Sequence, residues 1–127
     1  MIRGDVLFWP RFTFDDGAQA HKLLVIVGSL ANETRLMLKT TSKEHPWRPD
    51  RDGCHHEKSV HRFKQYLAGF DKPTWIQFDP PIIRSISEIT NANAKTKFAL
   101  KASDLSAVTN CYKKSSEISE YLLSYLK

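Results

Sequence analysis

The chain has 127 residues, of which 41% are hydrophobic and 26% charged, and its 19 Lys and Arg against 14 Asp and Glu give a formal net charge of +5 at pH 7. That length suits one hydrophobic core, and no stretch approaches the ~18 apolar residues that a membrane span requires. We therefore expect a single domain over residues 1–127 that is neither disordered nor transmembrane, with a positive charge that favours polyanionic partners.

The N-terminal sequence, MIRGDVLFWPRF, lacks an apolar core followed by a small-residue cleavage site. It predicts no secretory signal, and we expect residence in the cytoplasm. The chain contains two cysteines, Cys54 and Cys111, which are too few for a disulfide framework. In a reducing compartment we expect both to be free thiols.

Three neighbouring strands are predicted in the first third of the chain. Residues 4–9 are rich in β-branched and aromatic side chains, and Pro10 removes a ladder donor, so the opening strand ends there. Residues 11–20 form a loop, either a hairpin arm or a flap. Residues 21–27 are almost entirely aliphatic, as in a central strand buried on both faces. Alternation in the strand of residues 34–41 divides its side chains between two faces, Leu36 and Leu38 on one and Arg35, Met37 and Lys39 on the other.

Turn and loop signals separate the strands. Asn32 and Glu33 mark a turn, and residues 44–53 hold two prolines and five charged side chains, which predicts a loop. Residues 54–70 fit either a strand or a short helix. We favour a strand followed by a turn at Gly69.

The next stretch predicts two strands separated by prolines. Residues 73–78 alternate in the manner of a strand, which Asp79-Pro80-Pro81 ends. Residues 82–89 alternate again and predict a strand that leads into a turn. Residues 91–95 are a polar connector.

Two helices are predicted at the C-terminal end. From Ser103 the apolar period changes from two to about 3.6. Ser103 suits an N-cap, after which Leu105, Val108 and either Cys111 or Tyr112 fall on one helix face. Ser115 and Ser116 offer an N-cap for a second helix. Its apolar stripe, which we assign to core or dimer packing, consists of Ile118, Tyr121, Leu122 and Tyr125.

A candidate active site arises where two of the predicted strands carry polar groups at their ends. Lys22 opens the strand of residues 21–27, and Thr41 and Ser42 close the strand of residues 34–41. If these strands are neighbours, the three side chains converge on one cleft. The alternatives are a solvated lysine and two residues that simply enter a turn.

The histidines near Cys54 and Glu57 are candidate metal ligands. Cys54, His55 and His56 are consecutive, and backbone geometry rarely lets three such residues face one ion. We therefore expect no metal.

The same segment interleaves basic and aromatic side chains. Basic groups for phosphates and aromatic faces for unstacked bases are what single-stranded RNA binding requires, so we expect an RNA groove, with a solvated charged loop as the alternative. The aromatic residues are Trp47, Phe63 and Tyr66. The residues predicted to bind RNA are Lys43, Trp47, Arg48, Arg51, Lys58, Arg62 and Lys64.

The order of these elements resembles a known family. An early RGDV, a basic residue opening an aliphatic strand, a strand ending in TTS, a late IRSI and a C-terminal helix after Ser-Asp-Leu are similar to the PemK/MazF-like toxins of bacterial toxin–antitoxin modules, over about residues 3–126. The resemblance implies an α+β fold with a small curved antiparallel sheet, or an SH3-like, CcdB/MazF-like barrel, and C-terminal helices. It also implies a homodimer that cleaves single-stranded RNA without metal or cofactor, and a cognate antitoxin whose disordered tail occupies the RNA groove.

The resemblance also implies catalytic roles. Lys22 stands where the family usually has an arginine, and Thr41 or Ser42 stands where its Thr or Ser ends a strand. Attack of an RNA 2′-hydroxyl on phosphorus needs a proton acceptor, a proton donor and charge stabilisation. Lysine supplies a point charge in place of a planar fork, and burial can lower its pKa enough for proton exchange. His21 is an alternative acid or base, although alternation places it on the opposite strand face.

Two other functions remain open at this point. The first is a catalytically silent module of the same architecture that binds nucleic acid or a protein. The second is a structural or regulatory dimer module of a phage or mobile element.

Overall fold

The structure, a computed structural model, describes residues 1–31 and 33–126, so Asn32 of the predicted turn lies outside the described residues. Within them, seven strands form one antiparallel sheet in the order β4-β5-β6-β3-β2-β1-β7. The strands are β1 (Asp5–Thr13), β2 (Gln19–Leu30), β3 (Thr34–Thr41), β4 (Gly53–His55), β5 (Val60–Phe63), β6 (Thr74–Ser85) and β7 (Lys95–Ala99). The helices are α1 (Ile86–Asn91), α2 (Ala102–Lys114) and α3 (Glu120–Leu123), with short 3-10 helices at His56–Lys58 and Ser124–Leu126. The α+β class with an antiparallel sheet is confirmed.

The sheet carries a hydrophobic cluster on each face. On one face, Val25 packs with Val108 of α2 and with Tyr125 near the C-terminal end. On the other face, Leu24 packs with Ile89 of α1. Neighbouring residues of β2 are therefore fully buried on opposite sides, which confirms that it is a central strand. No helix among the described residues is long and apolar enough to cross a membrane.

Strand β1 continues through Pro10, where the sequence predicted its end. Its register with β2 shifts between Trp9 and Phe12, and Arg11 has a φ of 54°. Pairing with β7 stops before this point. Pro10 therefore lies in a bulge, where no ladder hydrogen bond requires the N–H that proline lacks. Residues 11–20, predicted as a loop, contain the end of β1, a turn and the start of β2. Of the two alternatives for this segment, the hairpin arm is therefore present.

Strand β6 likewise continues through Pro80 and Pro81, which were predicted to end it. Its register with β3 shifts between Gln77 and Ile82. On its other side, β5 pairs with it only as far as Gln77. The prolines thus bulge out of the sheet at a position where neither neighbour needs their donors.

The strand predicted for residues 82–89 ends at Ser85, and a helix follows. The Ser85 hydroxyl accepts a hydrogen bond from the Glu88 backbone N–H at 3.1 Å, and the Glu88 carboxylate accepts one from the Ser85 N–H at 2.9 Å. This capping box starts α1, and its Ser-x-x-Glu spacing was a helix signal that the alternating isoleucines obscured. Residue Lys95 of the predicted connector begins β7, which pairs with β1.

The two predicted C-terminal helices are present with different starts. Helix α2 begins at Ala102 with Lys101 as its N-cap, not at Ser103. Its buried face includes Val108 and both Cys111 and Tyr112.

Helix α3 begins at Glu120, after the N-cap Ser119, and so starts later than a cap at Ser115 or Ser116 predicted. The Ser119 hydroxyl caps it by accepting from the Leu122 N–H at 3.2 Å. The predicted apolar stripe is only partly buried, because Tyr121 is 60% exposed. The Tyr121 hydroxyl lies 3.1 Å from that of Tyr125, which provides the partner that a buried tyrosine needs.

A disulfide joins Cys54 and Cys111, with an S–S distance of 2.08 Å, which corrects the expectation of two thiols. The two residues are 57 positions apart, so their proximity was not visible in the sequence. The fold brings them together because the short edge strand β4 lies against α2. The bond thereby ties the edge of the sheet to the helix that covers it.

Candidate active site

The three predicted catalytic residues, Lys22, Thr41 and Ser42, line one cleft of about 620 Å³. The cleft opens where β2 begins and β3 ends, because these antiparallel strands are neighbours in the sheet. The other residues that line it are His21, Leu23, Thr40, Lys43, Phe70, Asp71, Lys72, Thr74 and Lys97. The convergence expected from the sequence is therefore present, and we name this the Lys22 cleft.

The register of the two strands explains this convergence. Leu24 pairs with Lys39, and continuing the register by two residues sets Lys22 opposite Thr41. The half-buried Lys22 ammonium donates a hydrogen bond to the Thr40 carbonyl oxygen at 3.1 Å. The Thr40 hydroxyl in turn donates to the Leu23 carbonyl at 2.8 Å, so it is occupied by the backbone.

Lys22 lies among other cations. Burial lowers the pKa of its ammonium from the ordinary value, and the charges of Lys39, Arg48 and Lys43 lower it further. The ion pairs found among the described residues do not include Lys22. The Lys22 and Lys39 ammonium groups both lie over the ring of Phe14, 5.5 and 5.8 Å from its centroid. This arrangement leaves a cluster of positive charges that an anion would stabilise.

The two candidate hydroxyls differ in their surroundings. The Thr41 hydroxyl oxygen accepts a hydrogen bond from the Lys43 backbone N–H at 3.2 Å, which leaves its own proton available for donation. Ser42 is exposed. Thr41 is therefore the better-positioned of the two.

His21 also lines the Lys22 cleft, and its contact with Phe8, the register partner of Leu23, agrees with the strand face that alternation predicted for it. Its side chain is exposed, with its ring centroid 5.6 Å from that of Phe8. An imidazole that reaches the same cleft as an ammonium group supplies a second acid–base group.

Sequence reasoning missed three lysines at this site. Lys72 and Lys97 line the Lys22 cleft, and Lys39 contributes to its positive charge. Lys97 belongs to β7, a strand that was not predicted. Lys39 was assigned correctly to the strand face opposite Leu38, and the register across the sheet was the signal that could have placed it beside Lys22.

The predicted RNA-binding residues divide into four groups, of which three are described first. Lys43 lines the Lys22 cleft. Trp47, Arg48 and Lys58 line two adjoining clefts of about 440 and 510 Å³. Arg62 is occupied internally: it pairs with Asp52 at 2.7 Å and lies over the Trp75 ring at 5.1 Å.

The remaining residues of the predicted groove lie elsewhere. The backbone carbonyl oxygen of Arg51 lies within hydrogen-bond distance of the His55 Nε2, at 2.7 Å. Neither Arg51 nor Lys64 lines any of the three clefts described above. Phe63 is a core residue and not a stacking face. Tyr66 is 79% exposed.

Two side chains of the segment rich in histidine and cysteine have other structural roles. Cys54 is held in the disulfide, and His61 is buried with its pKa lowered to about 4 by burial and by His55. The described residues contain no group of three or more His, Cys, Asp or Glu side chains placed to hold an ion.

Comparison of the chain with protein-family models, with curated proteins and with solved structures gives no match. Interpretation of the site therefore depends on its own chemistry. Its groups are an ammonium of lowered pKa, an available hydroxyl, an imidazole and further lysines around one cleft. They are suited to binding a phosphodiester and to moving protons at its oxygens.

Proposed function

We propose that the protein is a metal-independent endoribonuclease of the PemK/MazF-like type, which cleaves single-stranded RNA at the Lys22 cleft. The observation that carries this proposal is the group of like charges, Lys22, Lys39, Lys43 and Arg48, beside the Thr41 hydroxyl. Mutually repelling cations are stabilised by a polyanion, and phosphate contacts of this kind dominate nucleic-acid affinity.

The proposed reaction is transesterification. The 2′-hydroxyl oxygen forms a bond to the adjacent phosphorus while the bond from phosphorus to the 5′-oxygen breaks. His21 accepts the 2′-hydroxyl proton, Lys22 donates a proton to the leaving 5′-oxygen, and Thr41 or Ser42 donates a hydrogen bond to a non-bridging oxygen. The products are a 2′,3′-cyclic phosphate and a 5′-hydroxyl. The lowered pKa of Lys22 supports its role, because an ordinary lysine gives up its proton less readily.

Further features of the family are part of the proposal. They are closure of the curved sheet as an SH3-like barrel, a homodimer, a cytoplasmic location where RNA is present, and a cognate antitoxin. The positive charge of the cleft favours an antitoxin segment with acidic residues, which would compete with RNA for the same lysines.

One observation favours a second candidate, a nucleic-acid-binding module without catalysis. The Lys22 ammonium already donates to the Thr40 carbonyl, so one of its three donors maintains the strand ends. A lysine held in this way can bind phosphate without transferring a proton.

Incubation of the purified protein with a long RNA in EDTA tests the proposal. We expect fragmentation by the wild type and its loss in Lys22→Ala and Thr41→Ala. Lys113→Ala is the matched control, because it removes an equal charge from an exposed position of α2 and should leave cleavage unchanged. Intact RNA that migrates more slowly with the wild type would favour the binding module. Intact RNA with unchanged migration would exclude both candidates.

A further inference from the structure

An exposed tryptophan lies in the loop after β3, close along the chain to Ser42 of the Lys22 cleft. Residues 45–48 form a turn in which the Arg48 N–H donates to the His45 carbonyl at 3.0 Å, and Pro46 occupies the second position, which suits a fixed φ. The turn presents Trp47, which is 64% exposed. Its indole stacks on the His45 ring at a centroid distance of 4.3 Å and an angle of 13°. One face of the indole is thus covered by His45, and the described residues place no other aromatic ring on it.

The segment that carries this tryptophan is anchored. The Trp75 indole N–H donates to the Pro49 carbonyl at 2.6 Å, and the Arg48 guanidinium donates to the Lys43 carbonyl. The Lys58 ammonium reaches the Trp47 carbonyl at 3.5 Å. Trp75 is only 2% exposed and fixes the segment from within. Trp47 has no such internal role, and an anchored aromatic face loses little entropy when a ligand stacks on it.

The charges around Trp47 indicate the kind of ligand. Arg48 and Lys58 line the same cleft as the indole, with Glu44 and Asp50 also on its lining. The charge of Arg48 also lowers the pKa of the Lys22 ammonium, so one cation of this cleft acts on the Lys22 cleft as well. An aromatic face with cations beside it is the arrangement that binds an unstacked base and its phosphates.

We propose that Trp47, backed by His45, is a stacking subsite for an unpaired nucleobase of a single RNA strand whose backbone passes Arg48 on its way to the Lys22 cleft. The inference rests on the proposed function for the direction of the strand. Stacking on one base tolerates any sequence, because every base has a π-face. The subsite therefore contributes affinity and positions the strand, while Lys22 carries the chemistry.

Binding of a non-cleavable strand tests this subsite apart from catalysis. The probe is a 2′-O-methyl RNA oligomer, which has no 2′-hydroxyl nucleophile, compared with an oligomer of equal length that contains abasic sites. We expect Trp47→Ala to weaken binding of the 2′-O-methyl RNA by roughly 5- to 150-fold and Trp47→Phe to retain most of it. The abasic oligomer should bind the wild type and Trp47→Ala equally. Tyr66→Ala is the matched control, since it removes a more exposed aromatic ring that lines none of these clefts.

Intrinsic fluorescence gives an independent measurement. Trp9 and Trp75 are buried, so quenching on addition of the 2′-O-methyl RNA should disappear in Trp47→Ala. Equal binding of both oligomers, or unchanged affinity in Trp47→Ala, would contradict the subsite. Quenching by an acidic peptide and not by RNA would also contradict it and indicate a protein ligand. If RNA quenches Trp47 but is never cleaved, the subsite stands and the nuclease proposal fails. If RNA is cleaved and Trp47→Ala changes neither binding nor cleavage, the nuclease proposal stands and the subsite fails.

Discussion

The Lys22 ammonium lies 3.1 Å from the carbonyl oxygen of Thr40, on the strand that ends in the Thr41 hydroxyl. This hydrogen bond fixes a cation near the start of β2 and leaves two further N–H donors for a ligand. The same residue has its pKa lowered by burial and by three neighbouring cations. Lys22 is therefore the group whose protonation should govern the site.

The activity should fall at alkaline pH as Lys22 loses its proton. Because its pKa lies below the ordinary 10.5, the fall should begin at a lower pH than for a solvated lysine. Lys22→Arg introduces the residue that the proposed family usually has here and stays charged in this range, so it should still cleave RNA but should lose the alkaline fall in rate. The measurement is the cleavage rate against pH, corrected for hydrolysis without protein. An equal alkaline fall in Lys22→Arg would assign the pH dependence to another group.

Acid should destabilise the protein through His61. The pKa of His61 is about 4 in the folded state and 6.5 in the unfolded state, so between these pH values only the unfolded state binds a proton at this residue. The contribution of His61 to the unfolding free energy is therefore small well above pH 6.5, and it lowers that free energy by about 3 kcal/mol as the pH drops to 4. The negative charges of Asp104 and Asp52 oppose this lowering of the His61 pKa, while His55 adds to it.

Urea unfolding at a series of pH values measures the effect of His61. In His61→Phe, which matches the neighbouring Phe63 ring 4.8 Å away, the loss between pH 6.5 and 4 should shrink. The exposed His56 provides a control, and His56→Gln should retain the wild-type pH dependence. An equal loss in His61→Phe would assign the acid sensitivity to other groups.

A side chain at position 28 should displace the C-terminal segment. A Cβ on Gly28 would overlap the backbone carbonyl of Tyr125, which cannot move as a side-chain end can. Gly28→Ala should lower the unfolding free energy by about 1–3 kcal/mol, whereas Ser29→Ala, one position along β2, should change it little. In the Gly28→Ala background, Leu126→Ala should cost less than in the wild type, because the segment is already displaced. Additive effects would show that the segment stays in place.

The disulfide should stabilise the fold without taking part in the reaction. It closes a loop of 57 positions, and Cys54→Ser should lower the unfolding free energy by about 2–4 kcal/mol. A reducing agent should produce the same change in the wild type and none in Cys54→Ser. RNA cleavage should persist in both, because β2 and β3 form the Lys22 cleft. Two reactive thiols in the untreated protein would contradict the bond.

Local patterns predicted most of the sheet, because strands β2, β3 and the first part of β6 have regular alternation or continuous burial. The strand ends predicted at Pro10 and Pro80 were wrong. Each proline lies in a bulge where the neighbouring strand does not need the N–H that proline lacks, and the sequence alone does not show how the strands pair there. The start of α1 was readable from Ser85 and Glu88, but the alternating isoleucines gave a competing strand signal.

The candidate site was predictable only in part for the same reason. Lys22 and Thr41 lie at the ends of adjacent strands, so their convergence followed from the strand order. Lys72 and Lys97 enter the cleft through a turn and an edge strand, and their position depends on contacts between distant segments. The Cys54–Cys111 bond likewise depends on the packing of α2 against β4, which no local pattern encodes.

The most direct test of the central claim is the chemistry of the RNA ends after incubation in EDTA. We expect fragments with a 2′,3′-cyclic phosphate and a 5′-hydroxyl, produced by the wild type and by Lys113→Ala but not by Lys22→Ala. A 2′-O-methyl RNA of the same sequence should stay intact, because its nucleophile is blocked. Cleavage of the 2′-O-methyl strand, or fragments from Lys22→Ala at the wild-type rate, would contradict the proposed reaction.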